Sequence, residues 1–421
     1  MIRLCGYRIV ALCVLPKDKT RVRFPLPAPR MKYLSSLKNK NLFQQICLLR
    51  VDFNLTDDDL KKQKVPLRIQ AILPTIKFLL DKRAKVVILS HRGRPLKVSS
   101  FKFQVSSYTL RPFARILSKL LKKPVKFIDF NFGTSDVPKL TSILRTSDVL
   151  KIRNAPKGSI FLLENLRFFS GEDKNDQKFA KNLASLGTFY INDAFAFSHR
   201  PTASIAGIPK FLPSYAGLLL EKEIKNLSKV MKKPKQPLVI ILGGAKISDK
   251  IGVIKNFLKK ADCLLLGGGV ANTFFAAQRL PIGKSLYEKR IVPTAKLLLR
   301  SRKIILPIDS VVQGKKILDI GPKTIKRYAE IIKKARTIVW SGPMGYIEEP
   351  RFAKGSEAIA WAILKSRVFS VIGGGETASI IQNSKNKIQN SRIFLSTGGG
   401  AMLEYLAGKK LPGIEALNTS L

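Results

Sequence analysis

The stretch Ser370-Val-Ile-Gly-Gly-Gly-Glu-Thr-Ala-Ser-Ile380 runs an apolar strand into three glycines, then an acid and a hydroxyl, then a helical pattern. A helix N-terminus presents unpaired N–H groups and partial positive charge, and glycine lets backbone approach an anion without a Cβ in the way. Gly374 and Gly375 therefore read as amide donors, and Thr377 as a helix cap or a donor to a phosphate oxygen. Glu376 would repel a bare polyphosphate, but a magnesium ion reverses that sign by bridging carboxylate and phosphate oxygens. The alternative reading makes Glu376 a first-turn acid that complements the helix dipole.

The same strand, glycine, helix order recurs. Gly243-Gly244-Ala245-Lys246, Gly267-Gly268-Gly269, Gly342-Pro343 and Gly398-Gly399-Gly400 each follow a short, mostly apolar strand-like run. One such turn says little, whereas five at the ends of successive strands describe one edge of a parallel sheet, where doubly wound folds bind ligands. Neither GxxxxGK[ST] nor GxGxxG occurs, so this is not a Walker or dinucleotide loop. Lys246 and Lys250, four apart directly after a strand and two glycines, are expected to share one face of a new helix and to meet phosphates.

Between residues 46 and 213 the strand candidates are 46–53, 85–91, 125–130, 159–166 and 188–194, with helical patterns at 74–84, 108–123 and 174–186. A long helix over 217–231 leads to Lys-Pro-Lys-Gln-Pro at 233–237, where a second series begins: 238–243, 262–266, 303–308, 337–340, 369–372 and 392–396. Continuous apolar strands imply parallel sheets covered on both faces. The fold class is α/β: two doubly wound parallel-sheet, Rossmann-like domains joined by a hinge helix. The boundaries read as an extension at 1–30, a first domain at 31–213, an interdomain helix at 214–232, a second domain at 233–400, and a segment at 401–421 returning to the first domain. The extension matches neither a secretory signal nor a transit peptide and reads as disordered or as a mis-assigned start, with a targeting or binding segment as the alternative.

At the strand ends of the first series stand Arg50-Val51-Asp52-Phe53-Asn54, Ser90-His91-Arg92-Gly93-Arg94, Glu164-Asn165-Leu166-Arg167 and Ser198-His199-Arg200, with Arg68 in a helical stretch. Arginine's planar fork grips carboxylate and phosphate in bidentate fashion, so arginines recurring at one sheet edge describe a site for a small polyanion. Asp52 and Asn54 could orient a hydroxyl.

The 421 residues carry a formal charge of +48 with 45% hydrophobic content, enough for large cores. The lysines are spread along the whole chain without RGG, zinc-finger or RNP1 patterns, so the charge reads as solvated surface and no specific nucleic acid is expected. No apolar run approaches the roughly 20 residues of a membrane helix. Four cysteines without CxxC spacing suit a reducing cytoplasm, and two histidines leave few options for a general base or metal ligand.

Together the segments RVDFN, PTI at 74–76, SHRGRP, LLENLRF, INDAF with SHR, ILGGAKISDKI, LLLGGGVANTF, LDIGPKT, GPMG, VIGGGET and LSTGGGAMLEYLAGKKLPG resemble the phosphoglycerate kinase family, in its order and over about residues 31 to 417. The resemblance implies a two-domain hinge enzyme, a monomer, that moves a phosphoryl group between 1,3-bisphosphoglycerate and ADP to give 3-phosphoglycerate and ATP. By it Asp52, Asn54, Arg68, His91, Arg94, Arg167 and Arg200 hold the glycerate. Lys250, Glu348, Gly374, Gly375, Glu376 and Thr377 serve the magnesium nucleotide, with Glu348 on the ribose hydroxyls and Glu376 at the metal. Arg50, Lys246 and Lys250 stabilise the charge of the moving group when the domains close. His91 and His199 are then binding or structural groups. This chain departs from the family pattern at Glu376 (usually Asp), Thr202 (often His), Ser341 (commonly Asn), Leu55 (commonly Pro) and a shortened 313–318 segment lining the adenine side. The competing expectation is a catalytically weak relative whose basic surface binds nucleic acid or another polyanion.

Overall fold

In a computed structural model the described residues are 31–61, 65–95, 107–130, 144–385 and 392–420, with an isolated two-residue ladder pairing Leu4–Cys5 with Arg8–Ile9. The reading of residues 1–30 as an extension otherwise lies outside them. The chain divides into two compact units. Unit 1 gathers the described residues up to Ala194, Arg200–Leu220 and 412–420, and unit 2 gathers Phe195–His199 and Glu221–Leu411.

Unit 1 is built on six strands: β1 (Ile46–Arg50), β2 (Lys85–Leu89), β3 (Val125–Ile128), β4 (Ile160–Leu163), β5 (Phe189–Asn192) and β6 (Ser214–Ala216). All pair in parallel in the order β3-β4-β2-β1-β5-β6. Every residue of β1, β2, β4 and β5 is buried, as a sheet covered on both faces demands. On one face the core joins Leu49, Val51 and Ile88 to Ile69, Ile72, Ile76 and Leu79 of helix Leu67–Asp81 and to Phe113 and Leu117 of helix Arg111–Leu121. The sequence pattern starts the first of these helices at Pro74; in the structure it begins seven residues earlier, with Pro74 inside. Burial of Ile69, Ile72, Ile76 and Leu79 outweighs the one ladder bond a proline removes.

Unit 2 holds β7 (Leu238–Leu242), β8 (Cys263–Leu266), β9 (Ile304–Ile305), β12 (Thr337–Ser341), β13 (Phe369–Gly373) and β14 (Ile393–Ser396), parallel in the order β9-β8-β7-β12-β13-β14. A separate antiparallel pair, β10 (Ser310–Gln313) and β11 (Lys316–Ile320), follows β9. The pattern over 303–308 suggests a six-residue strand, but only two residues pair, and the hairpin takes up the chain beyond Pro307. Buried Trp340, Ile241, Ile338 and Ile372 meet Tyr328, Ile332, Ile359 and Ile363 from the helices Pro322–Lys334 and Lys354–Ser366. The Tyr328 hydroxyl donates to the carbonyls of Leu266 at 2.8 Å and Ile305 at 2.9 Å, so this core phenol is satisfied at the sheet edge.

In unit 2 the chain order reverses between β7 and β12, the position where a doubly wound sheet opens a crevice at its carboxyl edge. Helix Leu218–Lys232 carries the chain from one unit to the other. Its first turn is capped from unit 1: Leu220 N–H donates to Asp193 Oδ1 at 3.0 Å and Leu218 N–H to Thr75 Oγ1 at 3.1 Å.

Candidate functional site

At the crevice of unit 2 the turns after β7 and β12 lock together. Gly243 N–H donates to Ser341 O at 3.0 Å and Gly244 N–H to Pro343 O at 2.6 Å. Gly244 and Gly342 take φ of +81° and +86°, which a side chain would strain, and a Cβ on Gly342 would lie 2.4 Å from Gly243 O. Beyond Gly244 no helix forms until Ile251, contrary to the shared helical face expected for Lys246 and Lys250. The loop is held instead by Glu288, whose carboxylate accepts from Ser248 N–H at 2.7 Å and Ser248 Oγ–H at 2.8 Å. The two lysines consequently part company: Lys246 is exposed, while Lys250 is buried, its Nζ 3.3 Å from Lys246 O. A Cβ built on Gly244 would sit 3.6 Å from that Nζ, which places the ammonium beside bare backbone. Burial lowers the Lys250 pKa, opposed by Asp249, Glu376 and Glu288.

The opening motif lies next to this turn. Gly374 has φ +97°, helix Gly375–Lys385 starts immediately after it, and a Cβ on Gly375 would meet open space. Thr377 is buried, and its Oγ1 accepts from Gly342 N–H at 2.9 Å, which ties the loop after β13 to the turn after β12. The helix Gly399–Leu406 begins alongside, a Cβ on Gly399 falling 3.8 Å from Gly374 Cα, so two helix N-termini converge on one spot. Exposed Glu376 and Glu348 border a cavity of about 550 Å³ walled by Gly244, Gly268, Leu286, Tyr287, Leu318 and Tyr346. Glu376 also borders a neighbouring cavity of about 520 Å³ with Trp361, Ser379 and Asn383. The tyrosine and aliphatic walls of the first suit a flat aromatic base.

Magnesium prefers oxygen donors and keeps several waters, so one carboxylate plus phosphate oxygens suffices to hold it. Among the described residues no three His, Cys, Asp or Glu side chains gather as a metal cage. The single exposed Glu376 carboxylate at a helix mouth fits an ion that arrives with its nucleotide.

In unit 1 the strand ends assemble a cationic cluster. Arg68 Nη1 lies 3.2 Å from Asp52 Oδ2 and donates to Asn54 O at 3.0 Å. Asp52 Oδ1 accepts from Asn54 N–H at 2.9 Å, and Asn54 Oδ1 accepts from Gly93 N–H at 2.9 Å. Arg167 donates to Gly93 O at 2.7 Å and reaches Asp173 at 3.2 Å. His91 is fully buried, with Arg50 Nη2 2.9 Å from its Nδ1. Burial, then the charges of Arg50, Arg167 and Arg68, holds the His91 pKa well below its ordinary value. Arg50, Asp52, Asn54, Arg68, His91 and Arg167 thus form one contiguous group. Arg94 and Arg200 are exposed, and no hydrogen bond or ion pair among the described residues joins their side chains to it. Arg92, in the same SHRGRP motif, is structural: it is buried, donates to Leu55 O at 2.9 Å and lies 5.7 Å over the Phe113 ring.

Sequence reasoning passed over Glu172 and Ser204. Glu172 sits in the charged run Ser-Gly-Glu-Asp-Lys-Asn and reads as solvent-facing, yet it is fully buried against Arg50 and Ser204. It also passed over Glu288, which has no motif to mark it.

Residues 37–409 match the family model described as phosphoglycerate kinase. The chain belongs to the phosphoglycerate kinase family. It is 42% identical over 414 residues to the phosphoglycerate kinase of Finegoldia magna, covering 91% of this chain and 98% of that one. Identity to the phosphoglycerate kinase of Dictyoglomus turgidum is also 42%, over 419 residues, with 92% and 98% covered. Among solved structures, phosphoglycerate kinase from Coxiella burnetii superposes with a TM-score of 0.73 at 34% identity, covering 92% and 99% of the two chains. That from Pyrococcus horikoshii superposes with a TM-score of 0.77 at 33% identity, covering 92% and 98%. As a phosphoglycerate kinase the chain is an ATP-dependent transferase that moves phosphate to the carboxyl group of 3-phosphoglycerate. Among the described residues no helix is long and apolar enough to cross a membrane.

Proposed function

We propose that the two cationic sites divide the reaction: the arginine cluster of unit 1 binds the glycerate phosphate and carboxylate, and the glycine crevice of unit 2 binds the magnesium nucleotide. The observation that carries this reading is the buried Lys250 ammonium against Gly244, beside two converging helix N-termini. In the proposed roles Asp52 and Asn54 orient the glycerate hydroxyl, while Arg68, Arg94, Arg167 and Arg200 pair with its charges. Glu348 accepts from ribose hydroxyls at the rim of the base cavity. Gly374 and Gly375 donate backbone N–H groups to the phosphates, and Thr377 braces their loop.

A carboxylate oxygen is the nucleophile, so no base has to remove a proton from it. Positioning and charge stabilisation of a loose phosphoryl transition state remain to be supplied. Lys246 and Lys250 offset the charge on the transferring oxygens. Arg50 contributes a buried positive charge beneath His91. Glu376 is the residue that would hold magnesium, which supplies charge neutralisation between the phosphate oxygens when bound. The proposal includes closure of the two units on their ligands, which would keep water from hydrolysing the acyl phosphate.

The test is a coupled assay with 3-phosphoglycerate, ATP and magnesium, run with the full chain and with residues 1–30 deleted. Turnover dependent on all three components is the expected result. Absence of turnover in both forms, with folded protein, would remove the assignment.

A further inference from the structure

Four buried residues behind the glycerate cluster form a directional chain of hydrogen bonds. Glu172 Oε2 accepts from Ser204 N–H at 2.9 Å and Glu172 Oε1 from Ser204 Oγ–H at 2.6 Å. Ser204 Oγ accepts from Arg50 Nε–H at 2.7 Å, and Arg50 Nη2 stands 2.9 Å from His91 Nδ1. The Tyr190 hydroxyl donates to Ser204 O at 2.7 Å, so the serine is held at its amide, carbonyl and hydroxyl. Arg50 Nη1 donates to Val51 O, and the guanidinium lies 3.9 Å from Glu172 Oε1. All four side chains are fully buried.

The direction of each bond follows from the groups themselves. A guanidinium has five N–H donors and no acceptor. The Ser204 hydroxyl must accept from Arg50 and can spend its one proton only toward Glu172. By the same reasoning His91 Nδ1 must present its lone pair to Arg50, which leaves the ring proton on Nε2. The Arg50 guanidinium thereby sets which imidazole nitrogen carries hydrogen, and the Glu172 carboxylate, through Ser204, holds that guanidinium in place.

We infer that Glu172 is a positioning residue which, through Ser204 and Arg50, holds His91 as a neutral ring with its proton on Nε2. Among the described residues the charges that lower the ring's proton affinity are Arg50 from β1, Arg167 from the turn after β4 and Arg68 from helix Leu67–Asp81, and they disfavour a second proton. His91 is then neither base nor cation but a fixed N–H donor. This rests on the reading above, in which the unit 1 cluster that includes His91 binds the glycerate: a neutral donor serves an anionic oxygen at every pH at which the enzyme works.

Only two histidines occur in the chain, so imidazole nitrogen NMR of the full-length protein with 15N-labelled histidine resolves the question, and a His199→Gln variant assigns the signals. The expected spectrum shows His91 with its proton on Nε2 alone from pH 5 to 8. Ser204→Ala and Glu172→Gln should each turn this single tautomer into a mixture. Each should also raise the KM for 3-phosphoglycerate about tenfold while the KM for ATP stays within about twofold, as expected for loss of a charge-linked hydrogen bond in one site. A wild-type proton on Nδ1, an imidazolium at pH 6, or a folded variant retaining the pure Nε2 tautomer would overturn the inference. Those outcomes leave phosphoryl transfer standing, whereas a dead wild-type enzyme with the expected spectrum would defeat the reading and spare the tautomer.

Discussion

Thr377 Oγ1 receives the N–H of Gly342 at 2.9 Å, so a residue in the first turn of the helix after β13 also fixes the turn after the neighbouring strand β12. One hydroxyl thus couples the amide cradle at Gly374 and Gly375 to the switch point of the sheet. Thr377→Val keeps the shape and removes the acceptor. We expect it to destabilise the protein by about 1–2 kcal/mol and to raise the KM for ATP several-fold while the KM for 3-phosphoglycerate holds. Urea denaturation and steady-state kinetics measure both, and unchanged values would make the bond incidental.

Lys250 is buried where Lys246 is exposed, and the two substitutions should differ accordingly. Lys250→Ala is expected to lower kcat by on the order of 100- to 1,000-fold, the usual cost of removing one preorganised charge donor. Lys246→Ala should cost less. Stopped-flow or coupled kinetics decide the order, and a reversed ranking would contradict the placement of Lys250 beside Gly244.

Arg68 is braced by Asp52 and by Asn54 O in a cluster that also contains His91 and Arg167. Arg68→Ala should lower kcat/KM for 3-phosphoglycerate by on the order of 100-fold, through loss of a charge-assisted contact. Wild-type turnover in this variant would refute the glycerate site.

Glu376 offers one carboxylate oxygen donor at the helix mouth. Glu376→Gln should raise the magnesium concentration needed for half-maximal rate about tenfold, with glycerate binding unaltered. Magnesium titration of initial rates reads this directly. An identical titration curve would leave Glu376 as a dipole-complementing acid only.

Two carboxyls of the linking region have pKa values pushed up by burial, Asp193 to about 7 and Glu223 to about 7. Both lie above the roughly 4 of an unfolded carboxyl, so the folded state holds more protons between pH 4 and 7. Their stability contribution is complete at low pH and lost as pH rises through 7. Asp193→Asn and Glu223→Gln should each flatten the fall in stability over pH 5 to 7 by up to about 1.4 kcal/mol per pH unit. Urea midpoints across that range test it, and slopes matching the wild type would show that neither group gains a proton on folding.

Most strands of the two parallel sheets were legible because an interior parallel strand must be apolar on both faces, whereas the three-residue edge strand β6 (Ser214–Ala216) fell inside the segment read as interdomain helix. β1, β2, β4 and β5 follow this rule apart from Arg50, Lys85 and Asn192 at their ends, and every residue in them is buried. The glycine turns were legible because close backbone approach leaves few alternatives to glycine. Less could be read where tertiary contact overrode local pattern. Pro74 looks like a helix start and lies mid-helix, the Lys246–Lys250 segment looks helical and is a loop pinned by Glu288, and the β10–β11 hairpin hides in a short polar run.

By itself the amino-acid order determined the α/β class, the alternation of strand and helix, and which residues stand at the strand ends, since these depend on periodicity and on chemistry carried by neighbours in the chain. Only the tertiary structure decided that Phe195–His199 pack in unit 2, that Lys250 is buried and Lys246 is not, and that Glu172 reaches Arg50 through Ser204. Those facts rest on contacts between residues remote in sequence. Burial changes what a charged side chain does without changing its identity, so no local pattern records it.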